Sequence, residues 1–224
     1  MKVSDFLFVR EGICLFCKEE ETYGDVLCAD CARQLEAHGG TYAFDEWHSC
    51  SIAYFYNRFL QQKFRDFKFM EQAELAEPMG ALLARFVKAT DLLDYTHIVP
   101  VPMHPRAEKK RGYNQVRLLA DELSRHTGIP VYEGLKKTRH TKEQNKLDRI
   151  GREKNLKGAF QIVSGAELSG ARLLLLDDLT TTGATMKHAA DALEKAKPEV
   201  LHGLAFCAPR FYEPFALQKP AVLW

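Results

Sequence analysis

The sequence predicts an α/β protein: a parallel sheet flanked by helices, with a small cysteine-rich element at the N-terminal end. Three observations carry this expectation. Leu173-Leu-Leu-Leu176, followed by Asp177, Asp178 and a threonine-rich turn, reads as a strand buried on both faces that emerges into solvent where the two acids begin and runs through a polar loop into a helix. Apolar runs of strand length alternate with segments of helical period through the second half of the chain, as in a sheet built by crossover helices. Two Cys-x-x-Cys pairs lie close together near the start.

The bulk properties narrow the class. A chain of 224 residues can bury a sizeable core, and shares of 46% hydrophobic and 27% charged residues are ordinary for a globular protein. A net charge of +1 gives no global argument for nucleic acid or a membrane surface. Asp5, Arg10 and Glu11 break the early apolar run, which argues against a signal peptide, and no run of about 18 apolar residues is present to span a bilayer. The expectation is a cytoplasmic protein without membrane insertion. Cysteines in that reducing compartment need an explanation other than disulfides.

Taken in order, Cys14-x-x-Cys17 and Cys28-x-x-Cys31 come first, separated by ten residues. Each pair can bring two thiolates to one ion, and two pairs complete a tetrahedral zinc site with no ligand position left open, so the metal is expected to be structural. Such a site contributes on the order of 10 kcal/mol, enough to hold a segment too small for its own core. A redox dithiol would explain one pair but not the second. Cys50 and Cys207 sit in apolar surroundings and read as small buried residues.

Residues 32–50, with Gly39-Gly40, read as a linker, and Ser51–Tyr56 as a strand. In 58–69, Phe59, Leu60, Phe64 and Phe67 fall near one helical face with Arg58, Lys63, Arg65 and Lys68 among them. This is either a core-facing amphipathic helix with a solvated basic side or a stacking platform for single-stranded nucleic acid. A helix over Glu71–Ala89 should be kinked or divided at Pro78. Thr96–His104 reads as the next strand and its exit loop, stiffened by two prolines, and Arg106–Gln115 leads into a helix with Val116, Leu119, Ala120 and Leu123 on one face, stopping at Gly128. Residues 130–133, 159–163 and 199–208 supply further strands, with a polar region over 135–158 between the first two. The tail from Pro209 to Trp224 has three prolines and no helical period.

Charge is concentrated although the total is balanced: residues 101–160 hold fifteen Lys/Arg and seven Asp/Glu, a surplus of +8. This basic lobe could neutralise pyrophosphate, follow a nucleic-acid backbone, or do both. Arg139, Arg149 and Arg152 stand out within it, because guanidinium forks grip phosphate oxygens in pairs.

The organising stretch is Leu173–Thr185. A small-residue turn entering a helix N-terminus aims backbone N–H groups outward, a place for phosphate. Gly183 lets backbone approach closely, while Thr181, Thr182 and Thr185 add hydroxyl donors around Ala184. Asp177 and Asp178 beside a phosphate site would repel a second phosphate, so their natural partners are sugar hydroxyls or a divalent cation carried by the ligand. Phosphoribosyl pyrophosphate with magnesium combines all of these groups. A Walker-type loop is not supported, since no Gly-Lys-Ser/Thr is present.

Four apolar residues, two acids and a threonine-glycine loop resemble the signature of type I phosphoribosyltransferases. The wider chain resembles the ComF family through the four cysteines, Val-Pro-Val-Pro at 99–102, Arg111-Gly-Tyr-Asn-Gln115, Arg139-His-Thr141 with Gln144, Leu147, Arg149, Arg152 and Asn155, and Gly158-Ala-Phe160. The resemblance implies a type I phosphoribosyltransferase-like sheet with an N-terminal zinc element, and a cytoplasmic role in natural transformation on single-stranded DNA, together with the ComFA helicase-like ATPase. The expected organisation is a zinc element over 1–40, a connecting region over 41–94, the phosphoribosyltransferase-like domain over 95–210 and an extension over 211–224.

Two functional classes follow. In an enzyme, Thr181–Thr185 would hold the ribose phosphate, and Asp177 and Asp178 would fix the diol and favour positive charge at the anomeric carbon. Magnesium with Arg111, Arg139, Arg149 and Arg152 would stabilise departing pyrophosphate. This could serve nucleotide metabolism as an orphan pyrophosphate-releasing transferase. In a binding protein, the same pocket would take a phosphate of DNA or of a nucleotide, and the basic lobe would follow the strand.

Overall fold

The computed structural model describes residues 11–23, 25–46, 48–69, 72–139, 156–163 and 168–210. Arg149, Arg152 and the tail over 211–224 lie outside them. At the N-terminal end, β1 (Glu11–Ile13) pairs antiparallel with β2 (Glu21–Tyr23), and the short helix α1 (Ala29–Arg33) follows.

The central sheet has five described strands: β3 (Thr41–Ala43), β4 (Ser49–Phe55), β5 (His97–Pro100), β8 (Arg172–Leu179) and β9 (Val200–Ala208), in the spatial order β3-β4-β9-β8-β5. Only β3 runs antiparallel to its neighbour. The connecting region over 41–94 thus contributes two strands to the same sheet, one of them inside the stretch that reads as a linker. Leu173–Leu176 are fully buried between β5 and β9, which explains their unbroken hydrophobicity.

Helices cover the sheet. Along α2 (Arg58–Phe69), Leu60, Phe64 and Phe67 are fully or almost fully buried, so the aromatic stripe is core and not a stacking platform. Ala73–Leu75 form a 3₁₀ turn, and α3 (Ala76–Lys88) is one unbroken helix. Pro78 falls in its first turn, where an N–H has no intrahelical acceptor to lose, so the expected kink does not form.

After β5, α4 (Pro105–Arg111) is followed by α5 (Gln115–Thr127), which ends at Gly128 in the left-handed conformation with Val116, Leu119, Ala120 and Leu123 buried. The strand expected over 130–133 reduces to a single parallel bridge between Ile98 and Val131. β7 (Phe160–Ile162) does not join the parallel sheet: it pairs antiparallel with β6 (Leu135–Lys137), which falls in the region read as polar. Three residues of Leu-Lys-Lys carry too little periodicity to announce a strand. The last helix, α6 (Ala184–Leu193), returns the chain to β9.

This order sets the carboxyl ends of β5 and β8 side by side at the point where their connections part. From β5 the chain passes outward to the Val131 bridge, while β8 lies on the other side of β5, so the connections diverge between these two strands. In open α/β sheets that divergence is where ligands sit.

Candidate functional site

The turn after β8 opens at Thr180, whose N–H donates to the Cys207 carbonyl at 3.0 Å. Gly183, at φ 75°, then serves as N-cap of α6, a conformation open to glycine without strain, and it supplies no side-chain cap. The Ala184 N–H reaches the Thr182 hydroxyl at 3.5 Å. Thr181, Thr182 and Thr185 are half-buried around this helix entrance.

Asp177 and Asp178 were expected to emerge into solvent. Instead β8 continues through them to Leu179, leaving them only 8% and 5% exposed. The Asp178 N–H donates to Asp177 Oδ1 at 2.9 Å. Burial, with the Asp178 carboxylate beside it, pushes the Asp177 carboxyl up to about 8. Burial and the neighbouring carboxylate thus favour the protonated form of Asp177, in which it can both donate to and accept from a hydroxyl.

Asp178 has two partners from the helical layer. Lys68 Nζ, at the end of α2, lies 2.6 Å from Oδ2, and Gln115 Nε2, opening α5, donates to the same oxygen at 3.1 Å. Burial disfavours the Lys68 ammonium, but Asp178 and Asp177 more than offset it and raise its pKa. Lys137 of β6 interacts electrostatically with Asp177, although burial lowers its own pKa.

The Arg111–Gln115 motif supports this arrangement. Arg111 Nη1 donates to Gln115 Oε1 and lies 3.7 Å from Met103 Sδ. The Tyr113 hydroxyl donates to the Phe67 carbonyl, and the two rings stack at 5.9 Å. Asn114 caps α5, accepting from the Val116 N–H at 3.0 Å. Tyr113 thereby secures the end of α2 next to Lys68, and Gln115 fixes the oxygen that Lys68 meets.

The solvated basic side expected for α2 is therefore incorrect at Lys68. A signal for this was present: Leu60, Phe64, Phe67 and Lys68 fall at i, i+4, i+7 and i+8, so the lysine belongs to the buried stripe. Arg139 donates to the Lys157 carbonyl at 2.6 Å, beside a cleft of about 440 Å³ lined by Lys157, Phe160, Lys187, His188, Asp191 and Lys195.

The four cysteines form a second candidate site. Their Sγ atoms all lie within 4.8 Å of one another, and Cys14, Cys28 and Cys31 are buried. Cys28 caps α1, its sulfur accepting from the Cys31 N–H at 3.4 Å. Four convergent sulfurs with a backbone donor on one of them suit a tetrahedral thiophilic metal ion. The element is tied to the helices by Lys63 Nζ donating to the Phe16 carbonyl at 2.5 Å, Lys18–Glu74 at 2.7 Å and Arg85 Nη1 donating to Asp25 at 3.0 Å.

The phosphoribosyl transferase domain family matches residues 111–215. Competence protein F of Haemophilus influenzae is 32% identical over 209 residues, covering 88% of this chain and 91% of that protein. The chain belongs to the ComF family. Competence protein ComFC of Bacillus subtilis is 26% identical, with 84% of this chain and 80% of that one covered. DNA utilization protein YhgH of Escherichia coli is 29% identical, with coverages of 81% and 84%. Among solved structures, adenine phosphoribosyltransferase of Saccharomyces cerevisiae aligns at TM-score 0.43 with 15% identity, covering 83% of this chain and 92% of that one. No helix among the described residues of this ComF-family chain is long and apolar enough to cross a membrane.

Proposed function

We propose that the site at the ends of β5 and β8 binds phosphoribosyl pyrophosphate or a closely related ribose phosphate. The observation that carries this reading is the meeting of a glycine-led helix entrance with a buried acid pair at the end of β8, within the matched domain. The Thr181–Thr185 turn and the positive end of α6 would hold the terminal phosphate. Asp177, which can donate or accept, and Asp178, an acceptor fixed by Lys68 and Gln115, would take the ribose hydroxyls. Magnesium would enter through the ligand's pyrophosphate oxygens and neutralise their charge. The four thiolates would hold one structural zinc ion and fasten the N-terminal element onto α2 and α3.

In the cell, we infer a role in natural competence, in handling single-stranded DNA after uptake, alongside a ComFA-type helicase ATPase. The names of the relatives support this context. The lysine-lined cleft beside Arg139 supports an anionic macromolecule as partner.

Titration calorimetry with phosphoribosyl pyrophosphate and magnesium, with and without single-stranded DNA, tests the reading. Saturable binding of the sugar phosphate is expected, and the doubly substituted Asp177→Asn, Asp178→Asn protein should lose at least about tenfold in affinity, the effect of about 1.4 kcal/mol. Undiminished binding by that variant would refute the assignment of the acids. Release of pyrophosphate by the wild-type protein, abolished in the same variant, would establish transfer chemistry beyond binding.

A further inference from the structure

Two adjacent carboxylates facing a phosphate ligand would ordinarily recruit a divalent cation, since hard cations take carboxylate oxygens. Here a protein cation already stands at the acid pair. Lys68 Nζ lies 2.6 Å from Asp178 Oδ2, the oxygen that also accepts from Gln115 Nε2 at 3.1 Å. Magnesium at that oxygen would have to displace both donors and leave the Lys68 ammonium unpaired in a mostly buried position.

The placement of Lys68 is built in several ways. Its ammonium lies 5.3 Å from the centre of the Phe64 ring, one helical turn back. Phe64 is itself wedged against Phe206 of β9, with ring centres 5.6 Å apart. The adjacent Phe67 is held by the ring and hydroxyl of Tyr113. An ammonium has three hydrogens, of which Asp178 takes one. The side chain retains 20% of its surface exposed, so the others can reach a ligand oxygen.

We propose that Lys68 is a ligand-binding residue of this pocket, an internal cation that lets the acid pair accept a ribose diol without a divalent metal. This rests on the ribose-phosphate reading above and sharpens it: magnesium is required by the pyrophosphate of the ligand and not by the acids. A sugar phosphate lacking pyrophosphate should bind without metal.

The test uses the full chain and ribose 5-phosphate, titrated in EDTA and again in magnesium, with phosphoribosyl pyrophosphate as a parallel ligand. The wild-type affinity for ribose 5-phosphate is expected to change by less than about twofold between the two conditions, well under the tenfold that marks a lost contact. Lys68→Met should weaken binding in EDTA by about tenfold or more and regain part of it as magnesium is added, because an uncompensated Asp178 then attracts the ion. Lys68→Arg, which keeps the charge, should remain independent of metal. Ribose 5-phosphate binding by wild type only in magnesium would overturn the inference while leaving the pocket reading intact, whatever the folding of the variants. Wild-type affinity retained by a folded Lys68→Met in EDTA would do the same. Binding of neither ligand under any condition would overturn both.

Discussion

Replacing Gly80 with alanine pits two effects of known size against each other. Gly80 lies in the interior of α3, where alanine is favoured over glycine by about 1 kcal/mol. Against this, a Cβ at Gly80 would sit 2.1 Å from Glu122 Cβ and 3.3 Å from Glu122 Cα on α5. Ordinary carbon contacts lie at about 3.5–4.0 Å, so α3 and α5 would have to separate by more than about 1 Å at this point. The obstacle is the root of a helical side chain and not a flexible tip. Close by in the two helices, Met79, Leu83, Leu119 and Leu123 are all fully buried, so the separation would be imposed on packed core. A gap of that size forfeits a quarter to a half of each dispersion contact, and overpacking of this kind costs about 1–3 kcal/mol, with this geometry at the upper end. The expected net loss is about 1–2 kcal/mol, read as a fall in melting temperature of about 2–4 °C per kcal/mol for a chain of this size. Urea unfolding should show a lower midpoint with an unchanged slope. A Gly80→Ala protein as stable as wild type would refute the close-approach argument.

Two further outcomes follow from the structure. Cys28→Ser should abolish stoichiometric zinc in native mass spectrometry and lower the melting temperature, since four-thiolate sites contribute on the order of 10 kcal/mol to the segments they organise; full metal retention would count against a four-cysteine site. Buried His48 bridges Asp45 and Glu194, with its Nδ1 2.8 Å from Asp45 and its Nε2 2.9 Å from Glu194. Burial alone would lower its pKa, but the two carboxylates outweigh burial and raise it. That stabilisation is complete below the unfolded value of about 6.5 and is lost as pH rises through the raised folded value. Glu194→Gln should therefore flatten the decline in melting temperature as pH rises above the unfolded value of about 6.5, and an unchanged slope would refute the linkage.

How far these features were legible in the sequence depended on the distance over which the signal acts. Leu173–Leu176 announced a central strand because burial on both faces leaves no room for alternation, and the face of α5 was plain from its period. The cysteine spacing anticipated the cluster because a metal centre imposes its geometry locally. The burial of Asp177 and Asp178 is not legible because a charge run normally marks a strand's exit, whereas here the compensating ammonium comes from α2, far earlier in the chain. Gln115 stood inside a recognised motif, but a side chain's partner across the fold leaves no trace in its own neighbourhood. β7 is legible as a strand, but β6 and the pairing of the two are not, because three residues each specify a pairing only once both are brought together.

The sheet order has a practical consequence for anyone trimming this chain. A fragment cut to residues 111–215 retains β8 and β9 but discards β5 on one side and β4 on the other. Both flanks of the hydrogen-bonded pair would then be raw, inviting intermolecular zippering. The excised piece would also lack the amine that steadies Asp178, so a soluble truncation could still give a misleading titration. The boundaries of the matched domain are narrower here than the boundaries within which the pocket can be whole.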